Sequence, residues 1–235
     1  MPTQSVKEIT LETLVGPLAE TFPQLIRGTI LHSDALTTER RLNSKLRNQW
    51  FYTADSNVYT IEDDEAVWYL GREPTNPIFN NIEEATQQLI RTGDYILPNE
   101  KRGEINAVIK AEDTLRVRLS DLRLLGGGGV FLYFGIDTAN YGKLNPEQRR
   151  VAERIYGQGD DFVGNMEMFN ESGITKTRVY VLNPDYVKRN VPEDGGLARA
   201  SRFVLFGFDS RFYAVSWFVD FHFGLRGARN VADNK

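Results

Sequence analysis

The chain has no cysteine among its 235 residues. Disulfide frameworks, thiol nucleophiles and thiolate metal sites are thereby excluded, and either redox environment is tolerated. Histidine is almost as scarce: His32 and His222 are the whole supply, so an imidazole-rich metal site is not expected. No Gly-x-Ser-x-Gly elbow accompanies them, and neither is assigned a catalytic role. A surplus of positive charge is missing too. The net charge of −4 gives no general attraction to nucleic acid or to an anionic membrane. No apolar run reaches the roughly 18 residues of a membrane span, so membrane insertion is not expected. The opening stretch "MPTQSVKEITLETLV" is polar and acidic and lacks the apolar centre of a signal peptide. Internal repeats, heptads and low-complexity tracts are absent as well.

What is there suits a globular chain. Hydrophobic residues make up 41% and charged residues 26%, and the length fits one large domain or two small ones. Ile9, Leu14, Leu18, Phe22 and Leu25 recur at helical spacing, which predicts an amphipathic helix over 6–27, interrupted at Pro17 and Pro23. From Gln49 the period changes. "WFYTADSNVYTI" and "AVWYLG" read as two or three short strands with polar turns between them. Asn80 and Asn81 precede "IEEATQQLI", a capped helix start. The stretch "TLRVRLSDLRLL" alternates as a half-buried strand, and "VFLYFGI" reads as a continuous apolar one. Asn145 as N-cap, Pro146 and Glu147 open a helix that Gly157 and Gly159 stop. A second helix is expected near 160–170, then a strand at "KTRVYVLNP" and two to four strands to the end. The candidate boundary is Pro98–Gly103, in the polar, turn-rich stretch "LPNEKRG". It divides a helix-and-strand region, 1–100, that packs on a second region, 101–235.

Three stretches invite chemistry. Gly126 to Gly129 resemble a phosphate cradle in composition, but they lead into a strand, whereas a cradle opens a helix and supplies Lys and Ser or Thr. A plain turn is the favoured reading. The run Glu62-Asp63-Asp64-Glu65 offers carboxylates to a hard cation, yet four adjacent acids do not converge on one point without a shaped loop. It is read as a solvated turn. Asp160, Asp161 and Glu167 suggest a carboxylate pair, but helical rise sets Asp160 and Glu167 about 10 Å apart along the axis.

The stretch Ser201 to Arg229 is the unusual one. Between Ser201 and Phe223 lie seven of the fourteen Phe, with Tyr213 and Trp217, and no Lys, Glu, Gln, Asn, Thr, Met, Ile or Pro. "RFVLFGF" fits a central strand. In "FYAVSWFVDFHFGLRG" the aromatics fall on both parities, so a regular strand would carry rings on both faces. Exposed rings beside Asp, His, Ser and Arg have the composition of a binding surface. An exposed apolar cluster otherwise carries an aggregation cost.

The frame "GGLARASR" (195–202), Ala214, Val219 and "GLRGAR" (224–229) resembles the variable region of retroelement-diversified proteins with a C-type lectin fold, the group that includes the phage major tropism determinant. In that family, error-prone reverse transcription rewrites adenine positions near the gene's 3′ end. The codons concerned yield the residue alphabet seen here, apart from Trp217, which is assigned to the scaffold. The resemblance implies an α+β fold with a C-type-lectin-like C-terminal domain and an N-terminal helix-plus-strand region. It implies a variable region of about 199–229. Within it, Val215, Ser216, Phe218, Asp220, Phe221, His222 and Phe223 would be variable ligand-binding positions, and Phe206, Phe208, Asp209 and Tyr213 would be further ones. Arg199, Ala214, Val219, Leu225, Arg226 and Gly227 would be the frame. The implied partner is a protein or a cell-surface ligand, with viral host attachment as one setting; no location is assigned, and a virion or a cell surface would suit that setting. No cofactor is implied. Calcium-dependent sugar binding does not follow, because the carboxylate cluster a calcium site needs is not evident. Two other readings stand beside a diversified binder. One is a hydrolytic enzyme using the acids at 160–167. The other is an assembly subunit whose aromatic tail packs into a neighbour.

Overall fold

Asp63 and Asp64 both occupy the left-handed backbone region, at φ 50° and 62°. Two consecutive positive φ values make the mirror-image turn whose twist suits a two-residue hairpin, and Asp tolerates them better than bulkier residues do. The run Glu62–Glu65 is therefore a hairpin tip, with both central acids exposed.

The structure, a computed structural model, describes residues 11–16, 29–42, 50–72, 75–126, 129–206, 209–214 and 225–230. The strands are β1 (Leu11–Gly16), β2 (Thr29–Ile30), β3 (Trp50–Glu62), β4 (Glu65–Gly71), β5 (Tyr95–Leu97), β6 (Leu115–Arg118), β7 (Phe131–Asp137), β8 (Lys176–Leu182), β9 (Gly196–Phe206), β10 (Asp209–Tyr213) and β11 (Leu225–Asn230). The helices are α1 (Ser33–Leu42), α2 (Pro77–Asn80), α3 (Ile82–Thr92), α4 (Arg102–Lys110), α5 (Pro146–Tyr156), α6 (Asp160–Glu171) and α7 (Pro184–Asn190). The strands form one sheet in the order β1-β11-β3-β9-β10-β8-β7, with β2 on β11, β4 on β3, β6 on β4 and β5 on β9.

The helix expected over 6–27 is corrected at residues 11–16. These form β1, antiparallel to β11 from Leu11↔Asn230 to Gly16↔Leu225. A six-residue segment has little helical stability of its own, and a ready row of backbone partners on β11 overrides its period. The two or three strands expected after Gln49 are one 13-residue strand and its hairpin partner, with an irregularity between Thr53 and Ser56 where β3 pairs with β9. The alternation expected through residue 125 stops at Arg118, where Leu119–Asp121 tighten into a helical turn. The helices expected near 145–157 and 160–170 are α5 and α6. Asn145 and Gln148 form a reciprocal capping box at the start of α5, so two donors that the helix leaves free are satisfied locally.

β3 and β4 are buried on both faces. Along β4, Trp68 and Leu70 join one core with Phe51, Phe134, Phe212 and Val179, which α1, α5 and α6 cover through Leu36, Ile155 and Phe162. Val67 and Tyr69 join a second core with Tyr52 and Val58, which α2, α3 and α4 cover through Ile78, Leu89 and Ile105. Helices on both sides of a sheet turn its central strands into continuous apolar runs, which is why "AVWYL" shows no alternation.

β3 lies between β11 and β9, so strands from before residue 100 take their partners from after residue 195. Residues 1–100 expressed alone lose those partners and one wall of each core. Their thermal unfolding should be broad and poorly cooperative, and a sharp independent transition would contradict the dependence.

Candidate binding face and its frame

The frame segment "GGLARASR" supplies the start of β9, a central strand. Arg199 projects from it into a buried site and is 3% exposed. Its Nε donates to Asp94 Oδ1 at 2.5 Å, and Tyr186 Oη donates to Asp94 Oδ2 at 2.5 Å. The guanidinium also stands over the rings of Phe131 and Tyr186, 5.4 and 5.7 Å from their centroids. Burial, and then the hydrogen bond to Asp94, push the Tyr186 hydroxyl up from its ordinary value. Asn57 Nδ2 donates to the Arg199 carbonyl at 3.3 Å, and Asn57 Oδ1 accepts from Trp68 Nε1 at 3.1 Å. The frame is thus tied through Asn57 to the hairpin. Sequence reading named Arg199 but missed Asp94 and Tyr186. Asp94 follows the left-handed cap Gly93, a place where an acid is normally read as solvated.

Ala214 links β8 to β3. It is fully buried; its N–H donates to the Tyr180 carbonyl at 3.0 Å, and its own carbonyl accepts from Tyr59 Oη at 3.3 Å. A side chain larger than methyl has no room there without repacking. β10, which ends one residue earlier, runs parallel to β8, and β11 runs parallel to β3. Pairing aligns Gly227, Tyr52, Arg202, Tyr213, Tyr180 and Tyr133 in one row across six strands. Tyr133 and Tyr180 meet at 5.2 Å between ring centroids, with Arg178 over Tyr133 at 5.7 Å. Phe212 is fully buried, so one aromatic of the terminal stretch belongs to the core.

Among the sequence-predicted site residues, Phe206 ends β9, while Asp209 begins and Tyr213 ends β10. Phe208, Val215, Ser216, Phe218, Asp220, Phe221, His222 and Phe223 lie outside the described residues, as does Val219 of the frame. Leu225, Arg226 and Gly227 lie in β11. Asp160 and Glu167 are exposed on α6, and Asp161 pairs with Arg41 Nη2 at 2.8 Å. Among the described residues, no group of three or more His, Asp or Glu is placed to hold a metal ion.

His32 stands beside a buried carboxylate. Its Nδ1 is 3.7 Å from Asp55 Oδ1, too far for a hydrogen bond, and that oxygen accepts from Ser33 Oγ at 3.1 Å. Asp55 Oδ2 accepts from Ser33 N–H at 3.0 Å and from Thr53 Oγ1 at 2.5 Å. Burial alone would raise the Asp55 carboxyl, but His32, Thr53 and the Arg72 charge outweigh it and hold the group below the usual carboxylate range. A depressed folded value means that the charge stabilises the fold above the unfolded value of about 3.9, and that this contribution is lost as pH falls through the folded value. Urea midpoints should therefore decline below about pH 4. Asp55→Asn should lower the neutral-pH midpoint yet show a shallower acid decline. Equal acid slopes in the two proteins would remove Asp55 as the cause.

No family model matches the chain, and no curated protein matches it. A solved structure is similar, described as the accommodation of massive sequence variation in Nanoarchaeota by the C-type lectin fold. The TM-score is 0.60, over 95% of this chain and 97% of that one, at 10% sequence identity. The chain has a C-type lectin fold. At this identity the likeness is one of fold. The C-type lectin fold here is α+β, with helix and strand in the N-terminal region, and it sets β9, β10 and β11 in the sheet on either side of positions 215–224.

Proposed function

We propose that this C-type-lectin-fold protein is a diversified ligand binder, rewritten by a retroelement and recognising a protein or a cell-surface feature. The variable positions are Val215, Ser216, Phe218, Asp220, Phe221, His222 and Phe223, extended by Phe206, Phe208, Asp209 and Tyr213. The observation that carries the reading is the split between frame and alphabet. Arg199 and Ala214, the frame residues with described side chains, are buried and hydrogen-bonded. Apart from Trp217, residues 215–223 are written in the restricted alphabet that adenine rewriting would produce. The similar solved structure, described as accommodating massive sequence variation, supports the same reading. Such a division lets exposed residues change at little cost, typically within about 0.5 kcal/mol each. The same changes alter affinity by about 2 kcal/mol or more at hot spots. Recognition rather than catalysis is the activity, and viral host attachment is one setting for it.

The gene provides the test. A near-copy of the roughly 100 bases encoding 199–229 should lie beside a reverse transcriptase gene and differ from the coding copy chiefly at adenines. A locus without such a copy, or a copy differing at all four bases alike, would remove the retroelement from the account.

A further inference from the structure

A polar cavity of about 620 Å³ opens among α1, the end of β4, the α4–β6 connection and the α5–α6 corner. It lies in the size range of small-molecule sites. Its walls include His32, Asp34, Arg72, Asp113 and Arg154. Two of these are guanidiniums whose hydrogen bonding is incomplete. Arg72 donates through Nη2 to Asp34 Oδ2, but its Nε is buried without a partner. Arg154 is 12% exposed along its side chain, and its Nε and Nη2 are both buried without a hydrogen-bond partner. Its nearest carboxylate, Asp113 Oδ2, is 3.5 Å from Nη2, an ion-pair distance with no hydrogen bond. Burial, and then the neighbouring Arg72 charge, pull the Arg154 guanidinium below its ordinary value.

This arrangement is costly without an acceptor. A buried donor left unpaired forfeits its hydration, and two cations sharing one wall repel each other. Of the acids that offset them, Asp55 is fully buried and already accepts from Ser33 and Thr53, while Asp113 is 52% exposed and Asp34 27%; the lining acids Glu153 and Asp161 are paired with Arg149 and Arg41. Guanidiniums present planar forks that match carboxylate and phosphate oxygens.

We propose that this cavity binds the oxyanion group of a small ligand, held between Arg72 and Arg154 with His32 beside it. The oxyanion supplies the acceptors that the two forks lack, and the acids elsewhere in the lining disfavour a ligand of high negative charge. The site is separate from positions 206–223 and does not depend on their being variable.

The chain's two histidines give a local reporter. His222→Gln leaves His32 as the sole imidazole signal in the NMR spectrum of the full chain. Sodium acetate and inorganic phosphate are titrated against sodium chloride at matched ionic strength. The His32 signal should move saturably with at least one oxyanion and not with chloride. Saturation by acetate alone assigns a carboxylate ligand, and saturation by phosphate alone a phosphate ligand. The shift should disappear in Arg154→Gln and weaken in Arg72→Gln. If Arg154→Gln does not fold, Arg72→Gln together with Thr38→Phe, which narrows the cavity from α1, carries the same comparison. Oxyanion shifts no larger than chloride's, or shifts that survive in the variants, would overturn the proposal.

Discussion

Asp94→Ala is expected to lower the melting temperature by about 6–20 °C. Breaking a buried ion pair from one side costs about 3–5 kcal/mol, and each kcal/mol moves a chain of this size by about 2–4 °C. Asp94 and Arg199 have side chains only 5% and 3% exposed. Without Asp94, the Arg199 charge stays enclosed by Phe131 and Tyr186 with no anion to meet it. The loss should be smaller in Asp94→Leu/Arg199→Met, because removing both charges leaves none stranded. Differential scanning calorimetry of the single and double variants gives the comparison. A double variant as unstable as Asp94→Ala would assign the damage to packing rather than to the stranded charge.

The second large contrast separates surface from frame. Replacing Val215, Ser216, Phe218, Phe221 and Phe223 together by Ser or Asn should shift the melting temperature by only a few degrees, the scale of about 1 kcal/mol. Ala214→Leu, a single change, should cost about 1–3 kcal/mol through overpacking. It crowds the place where the Ala214 N–H meets the Tyr180 carbonyl and the Ala214 carbonyl meets the Tyr59 hydroxyl. Val219 and Arg226 are expected to be as sensitive as Ala214. Both sets are measured in one series of thermal melts. Should the five-fold variant unfold while Ala214→Leu melts like the parent, the aromatic stretch is core and the binding reading loses its support.

Elements with local signals were legible in the sequence. Asn145, Pro146 and Glu147 mark the start of α5, and the Asn145–Gln148 capping box that forms there is satisfied regardless of the rest of the fold. Asn183-Pro184 was read as the end of a strand. It is also the start of α7, with the Asn183 side chain accepting from Asp185 N–H. A cap followed by Pro and an acid was the available signal. β1 was illegible because its conformation is decided by β11, more than two hundred residues away in sequence. The Arg199–Asp94 pair was illegible for the same reason, as its partners are 105 residues apart. Rings of both parities also occur buried within this fold. Phe51 and Tyr52, and Trp68 and Tyr69, put rings on both faces, and helices bury all four. Alternate parity therefore identifies exposure only where one face lacks a covering layer, and the frame supplies the rest of the case for 215–223.

The place of β11 between β1 and β3 sets an order of assembly on the ribosome. β1 is synthesised early, but its neighbour does not exist until residues 225–230 emerge. Until then β3 has an open edge, and residues 11–16 have no place in the sheet. Closing so long a loop is slow, and it comes after positions 215–224 have been translated. A sequence at 215–224 that hinders β11 from reaching its place would leave β1 without its neighbour and β3 with an open edge beside Tyr52. Docking of β11 thus tests whatever sequence stands at 215–224 for compatibility with the sheet, whichever surface it then presents.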